Sequence, residues 1–276
     1  MSDGRLVLVG TPIGNVGDMS PRAIEVLNAV DLIAAEDTRH SGRLFKTVGV
    51  AAKELQSLNE HNETERIPAF LERLSRGQKI ALVSDAGMPG ISDPGERLVA
   101  AVAQAGYTVE VVPGPTAAVT ALVASGLDAG RFVFEGFLPR KGKVRAERLE
   151  ALTTEERTII LYESPHRVAQ TIADLVATFG PQRQVSISRE LTKLYDETWR
   201  GTLGEAVEHL YSVAPRGEYV LVVAGALPKA PATSDEIDAS LKSRLDAGLS
   251  KRDAANEVAK ELKVSKREVY SRALSL

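Results

Sequence analysis

The sequence contains no cysteine, which excludes disulfides, thiolate metal sites and cysteine nucleophiles together. Its histidines number four (His40, His61, His166 and His209). They are scattered, with no ligand spacing such as H-x-x-x-H, so no metal is expected. Aromatic residues make up 5% and no RNP1-like pattern occurs, so stacking on many single-stranded bases is not expected. The net charge of −3 supplies no global positive field, and any surface for a polyanion has to be local. No apolar run approaches the ~20 residues that span a bilayer. The start, Met1-Ser2-Asp3-Gly4-Arg5, lacks the basic and apolar regions of a signal peptide. A cytoplasmic protein with no membrane partner is expected. Neither G-x-G-x-x-G nor G-x-x-x-x-G-K-[ST] occurs, so neither a dinucleotide fingerprint nor a P-loop is present.

What is there is 276 residues, 43% hydrophobic and 26% charged, a composition and length that favour two domains of about 100–150 residues. The most informative stretch runs from Ala81 to Gly95. Lys79 to Val83 reads as a buried strand. At Ser84 the pattern breaks into three glycines, two prolines and two aspartates, and a helical pattern resumes at Glu96. Glycine lets backbone approach a ligand and proline presets the shape of a loop. Ligands of open α/β sheets sit beyond the carboxyl ends of strands, so this loop is read as a ligand loop.

Two further strands end in the same way. Leu6–Val9 runs into Gly10-Thr11-Pro12-Ile13-Gly14-Asn15, and Thr108–Val112 into Pro113-Gly114-Pro115-Thr116 followed by a small-residue helix, Ala117 to Ala124. Ser20-Pro21 suits the N-cap and first turn of a helix. Asp31–Ala35 reads as a strand closed by the polar cluster Glu36–His40. A helix is expected from Glu63 to Arg76. The alternation favours one parallel sheet on which the three loops converge. Beyond a boundary near Ser125–Asp128, strands at Arg131–Phe137, Thr158–Tyr162, Gln184–Arg189 and Glu218–Val223 alternate with helices near Val168–Thr178 and Leu203–Tyr211. Residues 228–233 read as a linker. Thr233-x-x-Glu236, Ser250-x-x-Asp253 and Ser265-x-x-Glu268 each resemble a capping box or its Asp variant ahead of a helical pattern. A tight turn at Lys263-Val264 makes the tail helix-turn-helix-like. The expected domains are 1–125, 126–227 and 234–276.

Several motifs then carry a resemblance: Thr11–Asn15, Ala35–His40, Ser84–Gly95, Pro113–Pro115, Phe134-Glu135-Gly136-Phe137-Leu138-Pro139-Arg140, Tyr162-Glu163-Ser164-Pro165-His166-Arg167 and Arg189-Glu190-Leu191-Thr192-Lys193. In this order, from about Leu6 to Ala226, they resemble the tetrapyrrole methylase superfamily, in its branch that modifies ribosomal RNA. The resemblance implies a two-domain α/β fold with a ligand cleft between the domains and S-adenosylmethionine as donor. It further implies 2′-O-methylation of a cytidine in small-subunit (16S) rRNA near the decoding centre, with naked rRNA or the 30S subunit as partner, and a homodimer. By the same resemblance Asp85, Ala86, Gly87, Met88, Pro89 and Ile91 line the donor, with Met88 where relatives carry Asp. Thr116 and Ala117 match a donor-contacting Thr-Ala pair, and Pro12 and Glu163 fall at further donor positions. No metal is implied.

Transfer of a methyl group to a ribose hydroxyl needs positioning and removal of a weakly acidic proton. Asp37, Glu163, His166 and Lys193 are the candidate bases, with Asp37 leading because it follows a strand in a polar cluster. Arg39 beside Asp37 and Arg167 beside Glu163 make structural pairs the competing reading. Arg140, Lys141, Lys143 and Arg145 are either a solvated turn or contacts to RNA phosphates. Two other functions share these features: a tetrapyrrole C-methyltransferase, whose macrocyclic acceptor needs no basic loop, and a non-catalytic RNA-binding or assembly protein.

Overall fold

The computed structural model describes residues 4–212, 216–227, 232–262 and 264–276. Two compact units emerge, one ending at Ala226 and one starting at Leu227.

In the first unit, β1 (Arg5–Val9), β2 (Leu32–Ala35), β3 (Leu55–Ser57), β4 (Lys79–Val83) and β5 (Thr108–Val112) form a parallel sheet in the order β3-β2-β4-β1-β5. Successive side chains of a strand point to opposite faces, and both faces here are covered. Val7, Val9, Ile33, Ala35, Ala81 and Val83 pack with Ala23 and Leu27 of α1 (Pro21–Ala29) and Phe45 of α2 (Thr38–Val48). Leu6, Leu32, Ala34, Ile80 and Leu82 pack on the other side with Phe70 and Leu74 of α3 (Glu63–Ser75) and Leu98 and Val102 of α4 (Glu96–Gln104). Burial on two sides is why β2 and β4 read as unbroken apolar runs. The Ser20 hydroxyl caps α1 by accepting from the Ala23 N–H at 3.1 Å.

α5 (Ala117–Ser125) leaves the first sheet and supplies a layer for a second. That sheet holds β6 (Phe132–Phe137), β7 (Thr158–Glu163), β8 (Gln184–Arg189), β9 (Glu197–Thr202) and β10 (Tyr219–Val223), ordered β6-β7-β10-β8-β9. β6 runs parallel to β7, with a bulge between Phe134 and Gly136, and the remaining pairs are antiparallel. Ala118, Ala121 and Leu122 of α5 pack on Ile160, Val220 and Val222. The opposite face packs on α6 (Lys143–Thr153), α7 (Val168–Phe179) and α8 (Leu203–Ser212).

Four elements differ from expectation. The cluster Glu36–His40 contains the start of α2, the basic run 140–145 contains the start of α6, and β3 and β9 were not expected.

The second unit holds α9 (Ser234–Asp246), α10 (Lys251–Glu261) and α11 (Lys266–Ser275) around Ile237, Leu241, Ala255, Val258 and Val269. Of the three expected capping boxes only Thr233–Glu236 is reciprocal. Ser250 accepts from the Asp253 N–H at 3.1 Å, and Ser265 makes no side-chain cap. Arg272 is paired with Asp238, while Lys251, Arg252, Lys266 and Arg267 are exposed. Most of the expected linker, residues 228–231, and Lys263 of the expected turn lie outside the described residues. No described helix is long and apolar enough to cross a membrane.

Candidate active site

The three Gly/Pro loops beyond β1, β4 and β5 lock together through backbone. The Gly10 N–H donates to the Val112 carbonyl at 3.0 Å. Thr11 and Gly87 exchange two N–H···O bonds, of 2.9 and 3.1 Å, forming an isolated antiparallel bridge. The Thr11 hydroxyl donates to the Ser84 carbonyl at 3.2 Å. Gly10 and Gly114 approach so closely that a Cβ on Gly10 meets the Gly114 Cα at 2.6 Å. Gly87 holds φ at +83°, a conformation that glycine adopts without steric cost. At the far end of the long loop, the buried Glu63 carboxylate accepts from the N–H groups of Gly95 (3.1 Å) and Leu98 (3.0 Å).

Against these loops, across from the second sheet, lies a cavity of about 360 Å³. Its first wall comprises Ile13, Ala86, Gly87, Met88, Ile91, Thr116 and Ala117. Its second wall includes Phe137, Tyr162, Glu163, Leu191, Glu218 and Val220. Mostly apolar walls with a few polar groups suit a small organic molecule. Of the expected donor residues, Pro12 and Pro89 are buried and stand behind the wall, which their neighbours Ile13 and Met88 form. Asp85 is also behind it, its carboxylate accepting from the Asp37 N–H at 3.2 Å.

The expected bases separate. Asp37 is the N-cap of α2, accepting from the Arg39 N–H at 2.8 Å and from its guanidinium at 3.0 Å. Those bonds hold its carboxyl down to about 2, so Asp37 is a poor base, and it lines no part of the cavity. His166 is exposed and does not reach the cavity wall either. Lys193 donates to Glu190 at 2.7 Å and Glu218 at 2.9 Å. Partial burial works against its charge, but the two carboxylates outweigh it and raise its pKa above the ordinary lysine value. An ammonium so held is no proton acceptor. Glu163 does line the cavity, already accepting from the Ser164 N–H (2.8 Å) and the Thr171 hydroxyl (2.7 Å), with the Arg167 guanidinium at 3.3 Å.

The basic run divides as well. Arg140, Lys141 and Lys143 are exposed, Lys143 lying 3.4 Å from Glu147. Arg145 is buried: it pairs with Asp174 at 2.7 Å and donates to the Thr171 hydroxyl and the Pro139 carbonyl, each at 3.0 Å. It is a structural cation and cannot reach a phosphate. Thr171 thus links Arg145 to Glu163, and Arg167 reaches the Leu138 carbonyl at 2.7 Å.

Sequence reasoning missed Ser92, Asp93, Tyr162 and Glu218 as cavity residues. Asp93 lies in the loop already singled out, so a titratable residue in a ligand loop was the available signal. Among the described residues no group of three or more His, Asp or Glu side chains could hold a metal ion.

Comparison with known proteins agrees with this architecture. The family of tetrapyrrole (corrin/porphyrin) methylases matches residues 5–207, and the RsmI C-terminal HTH domain matches residues 231–276. A ribosomal RNA small subunit methyltransferase I from Synechocystis sp. is 48% identical over 99% of this chain and 98% of its own. The protein of that name from Escherichia coli O157:H7 is 49% identical over 81% of this chain and 79% of its own. The crystal structure of a uroporphyrin-III-C-methyltransferase from Thermus thermophilus superposes with a TM-score of 0.57 at 23% identity, covering 80% of this chain and 94% of that one. A cobalt precorrin-4 methyltransferase superposes at 0.61 with 16% identity, covering 80% and 94%.

Proposed function

The chain belongs to the tetrapyrrole methylase family, and from that premise we propose that its methyl acceptor is the ribose 2′-hydroxyl of a cytidine in small-subunit ribosomal RNA, near the decoding centre. It is an S-adenosylmethionine-dependent methyltransferase. The observation that carries the rRNA reading is identity of 48% along nearly the whole chain, tail included, to a relative named for that substrate. The macrocycle methylases share the fold at 23% identity or less.

The residues present suit the donor. The cavity of about 360 Å³ is of the size that holds small ligands. Ala86–Met88 and Ile91 offer a close backbone wall, flanked by the start of α5 at Thr116–Ala117. Bound there, S-adenosylmethionine supplies an electrophilic methyl group. The Met88 side chain offers ribose hydroxyls only a weak thioether acceptor in place of a carboxylate, which leaves that role to other groups of the wall. RNA is read as approaching over the 138–143 loop, with Arg140, Lys141 and Lys143 on phosphates and the half-exposed Phe137 at the cavity mouth stacking on one base. The exposed lysines and arginines of α10 and α11 add a second basic surface. The active form is read as a homodimer, since the edge strand β5 leaves Val111 exposed and α5 leaves Val119 and Val123 exposed. Its site of action is the cytoplasm, with the ribosomal subunit.

Labelled-donor assays on 30S subunits and on naked 16S rRNA, with mass-spectrometric mapping of the modified nucleotide, test the reading. A single 2′-O-methylcytidine is expected; base methylation or an inert substrate overturns it. A chain ending at Ala226 is expected to bind donor normally and to lose affinity for the ribosomal substrate.

A further inference from the structure

Three carboxylates line the donor cavity, from Asp93, Glu163 and Glu218. Two already hold cations. Glu163 has Arg167 at 3.3 Å and Glu218 has Lys193 at 2.9 Å. Asp93 has no ion-pair partner within 4.0 Å among the described residues; the Ser84 hydroxyl, whose proximity favours the charged carboxylate, donates to the Ala86 and Gly87 carbonyls at 3.3 Å. The charges that face it are mostly negative: Glu36 and Asp85 from the ends of β2 and β4, and Glu218 from the second sheet. Tyr162 faces it from β7. Asp93 also lines an adjoining solvent groove that carries Glu60, His61, Glu63, Glu96 and Arg97. It therefore opens both to the cavity and to water.

Its backbone is held in place. Ser92, just before it, has φ at +62°, a conformation that costs a non-glycine residue of order 1–3 kcal/mol and persists where the surroundings impose it. The second sheet comes close at this point: a Cβ on Gly136, in the bulge of β6, meets the Ser92 hydroxyl oxygen at 3.1 Å.

We propose that Asp93 is the general base of the methyl transfer, an assignment that rests on the 2′-hydroxyl reading above. As the oxygen–carbon bond forms and the sulfur–carbon bond breaks, the hydroxyl proton passes to the Asp93 carboxylate. The products are the 2′-methyl ether, S-adenosylhomocysteine and a neutral carboxylic acid, which returns its proton to water through the groove. Burial raises the Asp93 pKa to about 7, with Glu36 and the other carboxylates adding to the effect and the Ser84 hydroxyl opposing it. A base that titrates near the working pH is both available and strong enough to accept a proton.

The test uses the full chain as Asp93→Asn and Asp93→Glu. On the ribosomal substrate, kcat of Asp93→Asn is expected to fall about 10²–10⁴-fold. Its donor affinity, measured by calorimetry, is expected to stay at the wild-type value. Wild-type kcat should rise with pH to a plateau with its midpoint near 7, and Asp93→Asn should lose that limb. Asp93→Glu should recover part of the rate. Wild-type turnover and an unchanged pH limb in Asp93→Asn overturn the assignment alone, as does loss of donor binding, which makes Asp93 a donor ligand. A wild-type protein that leaves rRNA unmethylated overturns the functional reading and the base with it.

Discussion

The loops that the first sheet gives the cavity are locked to one another through backbone, and the carboxylates that the second sheet gives it are side chains held in pairs. On the first side, Gly10, Thr11, Gly87 and Gly114 meet main chain to main chain. On the second, Glu163 and Glu218 are fixed by Arg167, Thr171 and Lys193. A backbone wall is a shape, intolerant of added atoms. Ion pairs set among apolar side chains are a charge distribution, and their members can be weakened one at a time. The difference predicts where substitutions abolish function and where they grade it.

The largest effect is expected from Gly10→Val. Its Cβ meets Gly114 backbone at 2.6 Å and the Met88 sulfur at 2.8 Å, so two loops have to part. Donor affinity measured by calorimetry should fall about 100-fold or more, the equivalent of ~2.7 kcal/mol. Gly87→Ala is milder, because its Cβ comes no nearer than 3.4 Å to any neighbour and only the left-handed backbone is penalised, by about 1–2 kcal/mol. Equal losses in the two variants would break the distinction between close packing and conformation.

Next in size is Arg145→Met, which leaves Asp174 without its cation. Removing one partner of a buried pair costs about 3–5 kcal/mol, to be read by denaturant titration, with no change in the salt slope of RNA binding. Neutralising Arg140, Lys141 and Lys143 together should do the reverse. Fold stability stays put, and the slope of log K against log salt drops by about 0.7–0.9 for each phosphate that no longer meets a cation. If Arg145→Met also lowers the slope, the line drawn between buried and exposed cations is wrong.

The smallest effect is expected from Asp37→Asn. Asn caps a helix about as well as Asp, and a carboxyl held down to about 2 has little proton affinity to lose. Turnover should remain near wild type. The sign of the pH effect on stability separates Asp37 from Asp93. The Asp93 pKa is raised, so its contribution to stability is full below the unfolded value of 3.8 and is lost as pH rises through about 7. Asp93→Asn should therefore raise Tm above pH 7 and change it little in acid, as thermal melts across that range would reveal.

Much of the first wall was legible in the chain, because its signals are local. Lys79–Val83 and Thr108–Val112 are strands with the expected ends, and each glycine-rich loop declares itself in its own residues. Roles set by partners distant in the chain were less so. Arg145 reads as one of four cations in a run; its burial comes from Asp174 and Thr171, 29 and 26 residues away. Asp93 lies inside the most informative stretch of the sequence, yet its character depends on Glu36 and Glu218, which only the fold brings near. Asp37 looks chemical because a polar cluster follows a strand, when those residues start α2 and bury Phe45 about two turns further on. β9, with Glu197, Arg200 and a single Trp199, has an edge strand's sparse pattern and offers little to detect.

The bridge between Thr11 and Gly87 joins residues 76 apart, and Gly10 is secured by Val112 and Gly114. During synthesis, the first loop is complete once Asn15 has emerged, but it has nothing to close against until β4 and then β5 have been made and aligned. Contacts this distant along the chain form late. That side of the cavity consequently does not exist on the early nascent chain, and its completion marks the registration of β5 beside β1.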